Sequence, residues 1–196
     1  VANFLIAYNL TMAKEGGYVD DSDDLGGETY RGISRRYHPN WIGWEKIDFK
    51  KGEMDDDHFS KNLNPYSSLQ DDVKEFYKEQ FWNIFLGDEI LSQGIADELF
   101  DIGVNMHPIK AVTFLQEALN VMNRNGRLYL DIVVDGVLGV DTLDTLVTYM
   151  EKDDVSYLVQ IMNILQGAYY IKRMKESLTQ EKYARGWLDR VVIEKL

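Results

Sequence analysis

From residue 67 onward the chain carries one apolar stripe after another at helical spacing, the first two stopping at or near a glycine, which disfavours helix. Leu69, Val73, Phe76, Tyr77, Phe81 and Ile84 recur every three to four positions behind the capping residues Ser67 and Ser68, and stop before Gly87. That spacing predicts one continuous helix with all six on its buried face. Ile95, Leu99 and Ile102 mark another, ending near Gly103. Pro108, at a first-turn position, opens the next, with Val112, Leu115, Leu119 and Met122 facing inward. After a turn-rich break over 123–139, Asp141 or Thr142 caps a helix carrying Leu143, Leu146 and Met150. A long helix follows with Val155, Leu158, Met162, Leu165 and Tyr169, and 183–196 reads as a last short helix. A chain patterned in this way is mainly α.

The first residues behave alike, then the pattern breaks. Phe4, Leu5, Tyr8 and Met12 share one face of a helix that should end close to Glu15, because Gly16 and Gly17 tolerate the positive φ that terminates helices. Beyond Tyr18 the periodicity vanishes. Four Asp lie within residues 20–24, Gly26 and Gly27 follow, and a short β-capable stretch runs from Thr29 to Ile33. Residues 41–64, with Trp41, Trp44 and an acidic patch at Asp55–Asp57, carry no pattern that assigns an element. There is no low-complexity linker, so two domains would share a packed boundary near residues 87–97; we expect them over 1–92 and 93–196.

Composition narrows the chemistry. With 33 Asp and Glu against 21 Lys and Arg, the net charge of -12 repels polyanions, which argues against nucleic acid and would also slow approach to anionic wall polymers. The absence of Cys removes thiol nucleophiles and Cys zinc sites. No apolar run is long enough to span a membrane, and Val1 to Lys14 lack the basic start of a secretory signal, although an upstream segment can have been removed. The three His show no HExxH spacing, and neither a GxSxG elbow nor a phosphate-binding loop is present. Counted as a calcium loop from Asp21, the fifth position falls on Leu25 and the twelfth on Gly32. No metal and no cofactor is expected.

What remains is a set of carboxylates: Glu15, then Asp20, Asp21, Asp23, Asp24 and Glu28. Glycoside hydrolysis needs one carboxyl that stays protonated to donate to the leaving oxygen and a second group that activates water or attacks the sugar. Glu15 suits the first role, because the partial negative charge at a helix C-terminus disfavours its ionised form and burial beside Tyr18 or Tyr30 would add to that. On position alone, a solvated helix-end residue is the plainer reading of Glu15, and solvated turns are the plainer reading of Asp20 and Asp23. Glu28 and Thr29 follow a glycine pair that lets backbone approach a ligand, so either can position water. Trp41 and Trp44, in irregular chain, can stack on sugar faces, whereas Trp82 and Trp187 belong to helical stripes.

Glu15-Gly16-Gly17-Tyr18-Val19, with Gly26-Gly27-Glu28-Thr29 and Gly32-Ile33, closely resembles the N-terminal signature of glycoside hydrolase family 108. Phe81-Trp82, Asp88, Leu99-Phe100-Asp101, Val104-Asn105 and Gly186-Trp187 extend the likeness over nearly the whole chain. The resemblance implies a lysozyme-like helical domain with a short β element, and N-acetylmuramidase activity with Glu15 as the catalytic acid; some members are described as secretion activators. Asp21, Asp24, Glu28 and Thr29 are then the candidates for the second catalytic group, and Tyr18, Tyr30, Arg31, Trp41, Asp101 and Asn105 for substrate binding. Ser22 and Leu25 stand where the family often has Pro, and Tyr30 and Arg31 where it commonly has Asn and an aromatic.

The second half resembles a peptidoglycan-binding domain: Phe114-Leu115-Gln116, Ala118-Leu119-Asn120, then Val134-Asp135-Gly136-Val137-Leu138-Gly139 and Thr142-Leu143 look like a helix, tight turn and helix. A purely structural packing device accounts for these residues equally well. The expected protein is therefore a peptidoglycan hydrolase with glycan strands as its partner, acting at the cell wall, periplasmic or extracellular. A non-catalytic wall-binding or secretion-assembly protein, and a chitosanase-like hydrolase favoured by the acidic balance, are the alternatives.

Overall fold

The computed structural model describes residues 1–20, 27–53, 59 and 63–192. The expected class holds: the chain is mainly α with one small antiparallel sheet. It divides into two compact units, residues 8–80 and residues 1–7 with 81–196. Asp21 and Asp24 lie outside the described residues.

α1 (Phe4–Met12) crosses from residues 1–7 into the 8–80 unit at Tyr8, and there leads into β1 (Tyr18–Val19), β2 (Thr29–Tyr30) and β3 (Ile33–Ser34). The strands pair antiparallel in chain order, with Tyr18 opposite Tyr30, Val19 opposite Thr29, and Tyr30 opposite Ile33. Two residues, Arg31 and Gly32, close the β2–β3 hairpin with φ of 45° and 79°. Positive φ at both positions matches the right-handed strand twist, the reason such turns favour glycine. Tyr30 and Ile33 then point into a core with Trp44, Ile47, Leu63, Leu69, Val73 and Tyr77.

Helix α2 (Gly43–Glu53) falls where the sequence suggested no element. Only Gly43, Trp44 and Ile47 of it are buried and Phe49 is exposed, so its apolar stripe is too short to register as a period. Charge placement was the available signal: Glu45 sits in its first turn and Lys50 and Lys51 in its last, complementing the helix dipole.

Helix α3 (Ser67–Tyr77) forms as expected, with Tyr66 rather than a serine at its N-cap, but it does not continue regularly. Lys78–Trp82 form a single π-helical turn, which widens the backbone by one residue. Buried positions therefore run Leu69, Val73, Tyr77, then skip to Trp82 and Phe85. Phe81 is half-exposed and Ile84 is 51% exposed, the opposite of the regular-helix reading, because the extra residue rotates them off the buried face.

In the second unit, α4 (Gln93–Asn105), α5 (Pro108–Val121) and α7 (Ser156–Glu176) pack on one another. Ile95, Leu99, Ile102, Val112, Leu115, Leu119, Leu158 and Met162 meet in their core. Ser92 caps α4 by accepting from the Ile95 N–H at 3.4 Å, and Pro108 opens α5 as expected. α6 (Val140–Met150) starts at least two residues earlier than expected: Gly139, not Asp141 or Thr142, is its N-cap, Asp141 lies in the first turn, and Thr142 is buried. α8 (Ala184–Leu188) follows a 3₁₀ segment, Leu178–Tyr183, and is shorter than the closing helix expected over 183–196.

Candidate active site

Helix α1 ends at Met12, three residues before Glu15. The Lys14 and Glu15 amides turn back onto the Thr11 and Met12 carbonyls at 3.0 and 3.3 Å, so the last carbonyls of the helix are satisfied by a tightened turn. Glu15 is thereby held half-buried just past the helix end. Its carboxylate rests over Gly32: Oε2 is 3.2 Å from where a Cβ at position 32 would stand, and the Tyr77 hydroxyl is 2.6 Å from the same point. Any side chain at 32 would collide with one or both. Glycine is required twice over, by this space and by its φ of 79°.

Arg31 ties the turn down on both sides. Its N–H donates to the Gly17 carbonyl at 3.1 Å, two residues beyond Glu15, and its carbonyl accepts from the Tyr77 hydroxyl at 2.6 Å. Its guanidinium Nη2 donates to Asn64 Oδ1 at 3.3 Å. Burial raises the nearby Tyr8 phenol above its usual range despite the attraction of the Arg31 cation.

One residue expected to bind substrate is placed by packing instead. Tyr30 is 0% exposed, and its hydroxyl accepts from Gln70 Nε2 at 2.7 Å while the same amide donates to the Leu63 carbonyl at 3.1 Å. A side chain without exposed surface cannot touch a polysaccharide. Trp41 is half-buried, its ring near-parallel to Tyr30 at 6.5 Å and edge-on to Trp44 at 5.2 Å, with Nε1 donating to the Asp72 carbonyl at 3.4 Å. It is part of an aromatic cluster and keeps some exposed surface.

Glu28 is 13% exposed and fully engaged. Oε1 accepts from Tyr18 at 2.9 Å and Lys51 at 2.8 Å, and Oε2 from Arg35 at 2.9 Å; Arg35 also grips Asp48 through two bonds of 2.7 and 2.6 Å. Burial pushes the Glu28 carboxyl up, but the bonds from Lys51, Arg35 and Tyr18 outweigh it and hold the group below its ordinary range. Burial also raises the Tyr18 phenol, to about 12. Glu28 is thus an anion with both oxygens already hydrogen-bonded. Thr29 is half-exposed, its Oγ1 donating to the Gly27 carbonyl at 3.0 Å.

The depressed Glu28 carboxyl has a consequence for stability. A group with a lowered value in the folded state stabilises fully above the unfolded value and loses that contribution as pH falls through the folded one. We expect the wild-type melting temperature to drop on acidification below the ordinary glutamate value of 4.5, and Glu28→Gln to show a shallower drop from a lower starting point. Melting curves from pH 3 to 7 check this; parallel profiles would exclude it.

Asp101 and Asn105 belong to the second unit. Asp101 is buried on α4, where Arg190 Nη1 donates to Oδ1 at 2.9 Å and Gln166 Nε2 to Oδ2 at 3.4 Å. Asn105 donates to the Asp101 carbonyl at 2.8 Å. A buried carboxylate paired in this way holds helices together. Among the described residues no cluster of three or more His, Asp or Glu could hold a metal.

The second unit carries its own polar device. Gln116 of α5 is buried, accepts from the Asp135 and Gly136 amides at 3.1 and 2.8 Å, and donates to Asp135 Oδ1, the Val137 carbonyl and Thr142 Oγ1 at 2.9, 3.1 and 3.2 Å. One turn on, Asn120 exchanges two bonds with Ile132, at 2.8 and 2.9 Å, and Asn123 donates to Asp131. The three amides, three to four residues apart, staple an extended loop along one face of α5. The loop leaves Leu130, Val133, Val137 and Val140 exposed, and Asp135, Asp141 and Gln116 help line a recess of about 240 Å³.

Sequence reasoning missed Gly32's role as a floor, Tyr77, Gln70 and Asn64. Tyr77 was read only as a stripe residue; its hydroxyl, where Phe would pack as well, was the available signal.

The sequence model of glycosyl hydrolase 108 matches residues 8–106, and that of a predicted peptidoglycan domain matches residues 110–192. Among curated proteins none matches. Among solved structures the chain is similar to Brucella abortus SagA, at 24% identity and a TM-score of 0.59, over 96% of this chain and 88% of that one. That likeness concerns the fold.

Proposed function

Since the chain belongs to the glycosyl hydrolase 108 family and carries a C-terminal peptidoglycan domain, making it a peptidoglycan-related glycoside hydrolase, we propose that it is an N-acetylmuramidase with Glu15 as general acid. The observation that carries this reading is the half-buried Glu15 carboxylate set over side-chain-free Gly32. Glu15 protonates the oxygen linking N-acetylmuramic acid to N-acetylglucosamine, the bond from the anomeric carbon to that oxygen breaks, and water supplies the new hydroxyl while its proton returns to a base. Asp21, Asp24 or Thr29 orients that water or attacks the sugar. Glu28, with both oxygens hydrogen-bonded, braces Tyr18 of β1 against Lys51 and Arg35, and Tyr18 and Arg31 border the glycan.

The functional division we propose is cutting in residues 1–92 and wall attachment in 93–196. The peptidoglycan match falls wholly within the latter, and the exposed apolar loop beside the recess offers it a surface. The site of action is the cell wall, in a periplasmic or extracellular compartment; among the described residues no helix is long and apolar enough to cross a membrane.

Digestion of purified peptidoglycan followed by reducing-end analysis tests the reading. New muramic acid reducing ends support it, and N-acetylglucosamine ends overturn the bond assignment. The net charge of -12 favours a second substrate, cationic chitosan, and a parallel digest decides whether that polymer is the better one. Retention on the wall without any clearing would make the protein a binding or assembly factor.

A further inference from the structure

We propose that Tyr77 is a positioning residue for the reaction, holding the Arg31–Gly32 turn at the height from which Glu15 meets the glycosidic oxygen; this rests on the general-acid reading of Glu15. Tyr77 lies on α3, 46 residues from the carbonyl to which its hydroxyl donates at 2.6 Å. It has almost no exposed surface. The ring is wedged edge-on between Tyr8, at 6.0 Å, and Phe76, at 5.5 Å, so the hydroxyl has little freedom to leave.

The peptide groups of Arg31 make the coupling specific. Arg31 is not glycine yet has φ of 45°, a conformation that costs an ordinary residue energy and persists only where its surroundings impose it. Here the Gly17 carbonyl takes its N–H and the Tyr77 hydroxyl its carbonyl. One bond leads back to the loop bearing Glu15, the other to a rigid helix. The Gly32 floor between them is approached by the Tyr77 hydroxyl and the Glu15 carboxylate alike. Without the hydroxyl the turn loses its anchor on α3, and the carboxylate loses the fixed floor beneath it. Displacements of about 1 Å at a reacting group cost as much as two orders of magnitude in rate.

The test is Tyr77→Phe in the full chain, assayed on purified peptidoglycan with rates referred to folded protein. The expected result is a fall of about tenfold in kcat with KM within twofold of wild type. Val73→Ala, one turn earlier on α3 and fully buried, controls for general loosening and should lower the melting temperature while leaving kcat intact. Should Tyr77→Phe fail to fold, the hydroxyl is a folding contact and the proposal is overturned. Wild-type kcat in Tyr77→Phe, or an equal loss in Val73→Ala, overturns the proposal. If Glu15→Gln is inactive while Tyr77→Phe is unimpaired, only the positioning role falls. If Glu15→Gln clears the wall normally, the general-acid reading falls and takes this proposal with it.

Discussion

Glu15→Gln is expected to lower kcat on purified peptidoglycan by about 10³-fold, with the melting temperature close to wild type and binding to the wall retained. Glutamine has the same shape and half-buried position as the glutamate but carries no acidic proton, so the variant isolates proton donation from packing. Without a donor the departing sugar oxygen must leave as an alkoxide, and the remaining rate reflects only binding and electrostatics. Stability should move little, because surface and half-buried replacements that leave packing intact stay within about 0.5 kcal/mol. A turbidity assay with a parallel wall pull-down measures both quantities. Undiminished clearing removes Glu15 from the mechanism. A large loss of stability would instead identify the carboxylate as a structural partner of the turn.

The largest structural effect is expected at Gln116. Gln116→Leu keeps the volume of the side chain and removes both of its polar functions, leaving the Gly136 amide, the Thr142 hydroxyl and the Asp135 carboxylate without the partner they share. Each buried polar group left unsatisfied costs about 1–3 kcal/mol, but the loop can detach and let water replace part of the loss. We therefore expect a destabilisation of about 3 kcal/mol. Hydrogen exchange should show lost protection centred on residues 132–137, and wall retention should fall if this loop contacts the glycan or its peptides. Denaturant unfolding decides the magnitude. A change under about 1 kcal/mol would mean that the loop is held by Asn120 and Asn123 alone.

The two experiments probe features that the sequence disclosed to different degrees. Glu15 was singled out by its motif, Glu15-Gly16-Gly17-Tyr18, which is local information, although its position alone read as well as a solvated helix end. Gln116 was visible as part of a motif, yet its five partners lie 19 to 26 residues away. No periodicity reports such contacts. Helix α2 went unread because a helix that buries only one short patch has no sustained period, and the π turn after Tyr77 went unread because one inserted residue leaves composition unchanged while rotating every later side chain.

Periodicity and punctuation by themselves determined the mainly α class and most helices of the second unit, because those depend on neighbours within a few residues; α1, expected to run close to Glu15, ends at Met12, and neither Gly16 nor Gly17 takes the positive φ expected to stop it. Only the tertiary structure decided that Tyr30 and Asp101 are interior, that Glu28 is already paired, and that Tyr77 and Glu15 converge on Gly32. Burial and ion pairing depend on which distant segments the fold brings together, and a one-dimensional pattern carries the side chains' chemistry without their addresses in space.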